Sequence, residues 1–170
     1  EYIDRQKIIC AVVLEVKKQR LRLLNENNRE INLSESRLLH SGKTRLDLSV
    51  GRDRIVENLR ETALKRDGLI GKVEIIELWE GLNSEQEWDD LANMTEFCFP
   101  DYFDGDHESA VMRAFFTDRF HFKFKPGGFF PNTESQVQSL MARAEEENRR
   151  DRMIEKGGIW LKSMIEGDFQ

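Results

Sequence analysis

No stretch of this chain approaches the ~18 consecutive apolar residues that a membrane span requires, and no secretory leader is recognisable at its start. The reading is a chain with no membrane partner, placed in the cytoplasm. Cysteine is scarce: Cys10 and Cys98 are far apart, each in an apolar context, and they read as buried reduced thiols rather than a disulfide. There is no Walker loop and no dinucleotide fingerprint. No nucleophile–His–acid arrangement can be assembled around the isolated His40 and His121. The one metal-like string, "DGDHE" at 104–108, lacks the spacing of a calcium loop and has no partner histidine at helical spacing. Capping of a helix by Asp106 explains it more simply. The sequence therefore assigns this chain no catalytic residue, no metal ligand and no cofactor of its own.

Lys and Arg are missing from one place in particular. Residues 74–108 carry 12 acids and no basic residue, so this segment alone contributes −12 to a total of −6. Residues 1–52 balance it with 11 Lys/Arg against 7 acids (+4), and residues 109–131 with 4 against 1 (+3). An acidic average with this segregation allows a polyanion partner at the basic segments and excludes one from the acidic segment.

The first fifty residues have the pattern of β structure. "KIICAVVLEV" is a β-branched run long enough to bend across a small barrel. "RLRLL" alternates Leu21 and Leu23 inward with Arg20 and Arg22 outward. "NENN" at 25–28 supplies residues that tolerate positive φ, and "REINL" resumes with Ile31 and Leu33. "HSGKTRLDLSVG" at 40–51 reads as an exit loop. From about Asp53 the period becomes helical, with Ile55, Leu59 and Ala63 on one stripe. Val73, Ile76 and Trp79/Glu80 begin a second helix that carries Leu78 and Leu82 beside them. A capping box at Ser84–Glu87 opens a third, with Trp88, Leu91, Ala92 and Thr95 on one face, and Asp106 caps a fourth that buries Val111, Ala114 and Phe115.

"DRFHFKFKPGGFFPNT" then places phenylalanines around a Pro-Gly-Gly turn. Strict alternation puts Phe120, Phe122 and Phe124 on one face and Arg119, His121, Lys123 and Lys125 on the other. The phenylalanine face either seals the helices or stacks bases. The basic face is either a solvated edge or a phosphate contact. Phe129 and Phe130 are adjacent, so one of them points outward and is the better stacking candidate. A second basic patch, Lys17, Lys18, Arg20 and Arg22 with Arg29 and Arg37 nearby, either follows a nucleic-acid backbone or is ordinary surface. Another capping box, Thr133–Gln136, opens a long helix with Val137, Leu140, Met141 and Ala144 inward. Its "EEENRRDR" continuation pairs charges at i,i+4 spacing as a solvated arm.

Helices followed at once by a two-stranded hairpin is the order of a winged helix. The expected fold class is thus α+β: a small β-barrel over 1–50, a winged-helix-like domain over 51–131, and a helical arm over 132–170 leading toward a further domain of a longer protein. "YIDRQKIICAVVLEVKKQRLRLLNENNREINLS", "ELWEGLNSEQEWDDLANMTEFCFPD" and "DHESAVMRAFFTDRFHFKFKPGGFFPN" together resemble the N-terminal region of a bacterial branch of the ribonuclease II/ribonuclease R (RNB) family. That resemblance covers nearly the whole chain. It implies 3′→5′ hydrolysis of single-stranded RNA in a downstream catalytic domain of the same polypeptide, with magnesium held there by aspartates. The aspartate motif is absent here; Asp89-Asp90 matches nothing in it. What the resemblance implies for these residues is a role in RNA binding and substrate admission. Two rivals stand beside it: a protein–protein module that docks through the acidic helices of 74–108, and a DNA-binding winged helix. The second is disfavoured because those helices bring no cation to phosphate.

Overall fold

The computed structural model describes residues 1–42, 44–83, 90–125 and 128–166. The chain is a mixed α+β protein with small antiparallel sheets and, among the described residues, five α-helices. The long β-branched run divides at Cys10. Strand β1 (Tyr2–Asp4) pairs with β2 (Lys7–Ile9) through a tight turn in which Arg5 and Gln6 both have positive φ, 46° and 63°. That left-handed pair matches the twist of the flanking strands. Strands β3 (Ala11–Lys17), β4 (Arg20–Asn25) and β5 (Glu30–Ser34) then form a meander, bulged between Val13 and Glu15. The turn between β4 and β5 is held by Asn25, whose Oδ1 accepts from the backbone N–H groups of Asn27 and Arg29 at 3.0 and 2.9 Å.

Both faces of β4 are covered, which the alternation alone does not predict. Leu21 and Leu23 pack with Tyr2, Ile9 and Leu33, as the alternation predicts. Leu24 turns to the opposite face and meets Cys10, Ile55, Val56, Leu59 and Ala63. The last four belong to helix α1 (Arg52–Ile70), which therefore lies against the sheet.

Helices α2 (Ile75–Asn83), α3 (Leu91–Cys98) and α4 (Gly105–Thr117) follow, then strands β6 (Phe122–Lys125) and β7 (Gly128–Pro131). Their shared core is Leu78, Met94, Phe99, Val111, Met112, Phe115, Phe122 and Phe129. Several expectations shift here. Leu78 is buried on α2, whereas Ile76 is 55 % exposed. Helix α4 is capped by Asp104 rather than Asp106: its carboxylate accepts from the N–H groups of Asp106 and His107 at 2.9 and 3.3 Å. Asp106 instead binds Lys65 and Arg66 of α1, at 2.5 and 2.9 Å. Val111, Ala114 and Phe115 are buried as expected. The capping box at Ser84–Glu87, Trp88 and the turn residues Pro126 and Gly127 lie outside the described residues.

A buried ion knot joins strands to helices. The Glu1 carboxylate, 1 % exposed, receives Arg66 of α1 at 2.9 Å, and Arg113 and Ser109 of α4 at 2.6 and 2.5 Å. Burial alone would raise its pKa; Arg113, Ser109 and Arg66 override that and hold it at about 2. Helix α5 (Glu134–Glu166) starts at the expected cap, where Gln136 Oε1 accepts from Thr133 N–H at 3.1 Å and Thr133 Oγ1 accepts from Gln136 N–H at 3.4 Å. Its root is anchored: Val137 is buried and Leu140 and Ala144 are half-buried. Met141, expected inward, is 43 % exposed, and the side chains from 145 to 160 are all exposed.

Candidate nucleic-acid interface

The two basic patches differ in how far they are neutralised from within. At the β3–β4 turn, Lys17 stands opposite Arg20 in register, with Lys18 (φ 53°) in the turn itself. Lys17 Nζ lies 3.1 Å from Glu15. Arg22 donates through Nε and Nη2 to the same oxygen of Glu30, at 2.9 and 2.7 Å, and Arg52 takes the other oxygen. Hydrogen bonds from Arg22 and Arg52 hold the Glu30 carboxyl below its ordinary pKa. Arg22 is thus held by β5, through a glutamate it shares with Arg52 of α1, and is the least available of the four for phosphate. Lys18 and Arg20 are exposed and make no side-chain ion pair or hydrogen bond among the described residues.

The β6–β7 hairpin presents the clearer surface. Its register sets Phe122 opposite Pro131 and Phe124 opposite Phe129 on one face, and Lys123 opposite Phe130 and Lys125 opposite Gly128 on the other. The inner face is core over most of its length. Phe122 and Phe129 are buried, with ring centroids 4.3 and 5.5 Å from Phe115. Phe124 shares that face and touches Phe129, with ring centroids 5.1 Å apart, but is 55 % exposed. Of the adjacent pair, Phe130 points outward and is half-buried among the lysines. The Lys125 ammonium lies 5.6 Å from its ring centroid, and Lys123 Nζ reaches Gln136 at 3.2 Å. Arg119 is exposed beside the half-buried Phe120 and makes no side-chain ion pair or hydrogen bond among the described residues. It borders a shallow concavity of about 340 Å³ whose apolar wall includes Ile70, Val73 and Ile75.

Two residues leave the expected surface. His121 is buried, because the strand begins only at Phe122 and the preceding bend turns the ring inward. Its Nδ1 lies 2.8 Å from Asp118 Oδ1, and its ring stands edge-on to Trp79 at 5.2 Å. Asp118 Oδ2 also accepts from the backbone N–H groups of His121 and Phe122, at 2.7 and 2.9 Å. Phe129 leaves the exposed set as well, being 1 % exposed. Asn132 completes this root. It accepts from Trp79 Nε1 at 2.6 Å through its carbonyl, and donates to the carbonyls of His121 and Phe120 at 2.7 and 2.8 Å. The sequence offers one hint of this role, an Asn directly after the strand, and none of its partners.

The acids of 104–108 are engaged in the fold: Asp104 in its cap, Asp106 with two cations, and Glu108 with His40 at 3.2 Å. Among the described residues no group of three or more His, Cys, Asp or Glu is arranged to hold a metal ion. What the surface offers chemically is a set of exposed cations beside the outward ring of Phe130, on a hairpin whose root is buried. Comparison with protein families, with curated proteins and with solved structures finds no match to this chain.

Proposed function

We propose that this chain binds single-stranded RNA and guides it toward the catalytic domain of a ribonuclease II-type 3′→5′ exoribonuclease, with residues 1–50 as a barrel-like unit and 51–131 as a winged-helix-like unit. The observation that carries this reading is the outer face of β6–β7, where Lys123 and Lys125 flank Phe130, with Arg119, exposed and without a side-chain ion pair among the described residues, shortly before the strand. Cations hold phosphates without regard to sequence, and an aromatic face accepts any base, which is the chemistry of a guide rather than a reader. Lys18 and Arg20 supply a second contact. Hydrolysis and magnesium belong to the downstream domain in this proposal.

A duplex-DNA role is poorly supported. Helices α2 and α3 have no Lys or Arg, and Arg113 of α4 is buried against Glu1 and Asp67. Docking of the acidic helices on a basic partner, such as the catalytic domain itself, is compatible with RNA binding. It is favoured by the exposure of Glu77, Glu80 and Glu96 beside exposed Ile76 and Phe97.

The test is fluorescence anisotropy with unrelated single-stranded RNAs over a salt series. Each phosphate contact removed by Lys123→Glu, Lys125→Glu or Arg119→Glu should flatten the log–log salt slope by about 0.7. Phe130→Ala should weaken every sequence alike, by about 1–3 kcal/mol. Affinity and slope unchanged in all four variants would refute the assignment.

A further inference from the structure

A cleft of about 490 Å³ lies between strand β3, helix α1 and the segments 38–42 and 44–48. That is within the size of pockets that hold small ligands. Val12, Leu46 and Leu59 give it apolar walls, and two of its polar side chains, His40 and Arg66, have incomplete bonding.

His40 is 7 % exposed, and its Nε2 lies 3.2 Å from Glu108 Oε2. A carboxylate only accepts, so in the uncharged ring Nε2 carries the proton and Nδ1 is left as an acceptor. That Nδ1 is buried and has no hydrogen-bond partner. A buried polar atom without a partner is costly and rare in folded proteins, so this one calls for a donor.

Arg66 supplies the complement. Its Nε donates to Asp106 at 2.9 Å, and its Nη1 meets Glu1 at 2.9 Å and Cys10 Sγ at 3.8 Å. Nη2 makes no hydrogen bond among the described residues. Two carboxylates already balance this guanidinium, so what Nη2 can still receive is an uncharged acceptor rather than an anion. Both openings border Gly42. A Cβ there would stand 3.9 Å from Arg66 Nη2 and 3.9 Å from His40 Cε1, the carbon bonded to Nδ1. Glycine leaves that volume open.

We propose that the cleft takes a single nucleobase that carries a ring N–H beside a carbonyl, as uracil and guanine do. The N–H donates to His40 Nδ1, the carbonyl accepts from Arg66 Nη2, and the apolar walls receive the faces of the ring. Choosing a base among uncharged ligands of this pattern rests on the RNA reading above. The site would add recognition of one base to the sequence-independent hold on phosphate.

The test is NMR of the whole chain, with its three histidines labelled with nitrogen-15, titrated with uridine to millimolar concentration. The His40 Nδ1 resonance should move upfield as it accepts a hydrogen bond. 3-Methyluridine, which lacks the ring N–H, should bind at least about tenfold more weakly. His40→Gln keeps a donor for Glu108 and deletes Nδ1; Gly42→Ala sets a methyl in ordinary contact with both groups. Each should weaken uridine at least about tenfold, with the far-UV circular dichroism unchanged. Salt between about 50 and 500 mM should leave uridine affinity unaltered, since the ligand is uncharged. If either variant fails to fold, the comparison of uridine with 3-methyluridine on the parent chain decides. Uridine that leaves Nδ1 unmoved, or equal binding of 3-methyluridine, overturns the proposal. Uridine binding as expected in a chain that shows no affinity for RNA by anisotropy would refute the guiding role and uphold this site.

Discussion

Replacing Phe129 with alanine tests whether the hairpin is fastened from inside. Its side chain is 1 % exposed, with ring centroids 5.5 Å from Phe115 and 5.1 Å from Phe124. An aromatic of this kind removes about 150–250 Å² from water. At about 25 cal/mol/Å² that is about 4–6 kcal/mol, part of which the remaining methyl retains. Truncation of buried Phe to Ala, with the cavity it leaves, costs about 3–5 kcal/mol. For a chain of this size each kcal/mol moves Tm by about 2–4 °C, so a loss of about 4 kcal/mol lowers it by about 8–16 °C. The control is the next residue. Phe130→Ala removes a half-buried, outward ring beside the Lys125 ammonium, and should cost less than the Phe129 truncation. Urea denaturation at equilibrium and scanning calorimetry of both variants give the comparison. Equal losses, or a larger loss at Phe130, would refute the face assignment and with it the outward ring on which the RNA proposal depends.

Acid should act on the ion knot. Unfolded, Glu1 takes up its proton near 4.5; folded, it is held at about 2. A depressed folded value means that its contribution is complete above about pH 4.5 and is lost as pH falls toward 2. The difference of about 2.5 pH units corresponds to about 3 kcal/mol. Urea midpoints compared at pH 6 and pH 3 should separate less in Glu1→Gln than in the parent chain; an identical separation would refute the link. Burial pushes both thiols up, Cys10 and Cys98 each to about 11, so few are thiolate at neutral pH. Iodoacetamide should label neither appreciably in the native chain and both in urea, and fast native labelling would contradict their placement.

Local rules carried the sequence reading where the contacts are local. Leu21, Leu23 and Leu33 alternate because one sheet face is core, and the Thr133–Gln136 box closes within four residues. The errors share a cause in partners far along the chain. Asp106 is as good a cap as Asp104 by residue type, and what removes it from that role is the arrival of Lys65 and Arg66 from α1, some 40 residues earlier. Alternation stops one residue before the strand: His121 lies outside it and answers to Asp118 and Trp79. Phe124 shows the limit of binary pattern: it shares the face of Phe122 and Phe129 and is still 55 % exposed, outside their core cluster. Of the candidate site, the sequence supplied the cations and left undecided which were already occupied. That depends on Glu15 and Glu30, acids placed across the sheet by its register.

The Glu1 knot has a consequence for the order in which the chain can assemble. Arg66 and Arg113 stand in one buried seam between α1 and α4, and the carboxylate that lies between them comes from 65 and 112 positions earlier in the chain. Arg66 and Arg113 also pair directly across the helices, with Asp106 and Asp67, so the two helices can meet on their own. What they cannot supply is the carboxylate between the two guanidinium groups, and the seam is complete only when the first strand has been delivered. That requires the closure of a very long loop, a step whose entropic cost grows only slowly with its length. Strands and helices become parts of one cooperative event, and damage to the strand end of the molecule would be felt first between two helices.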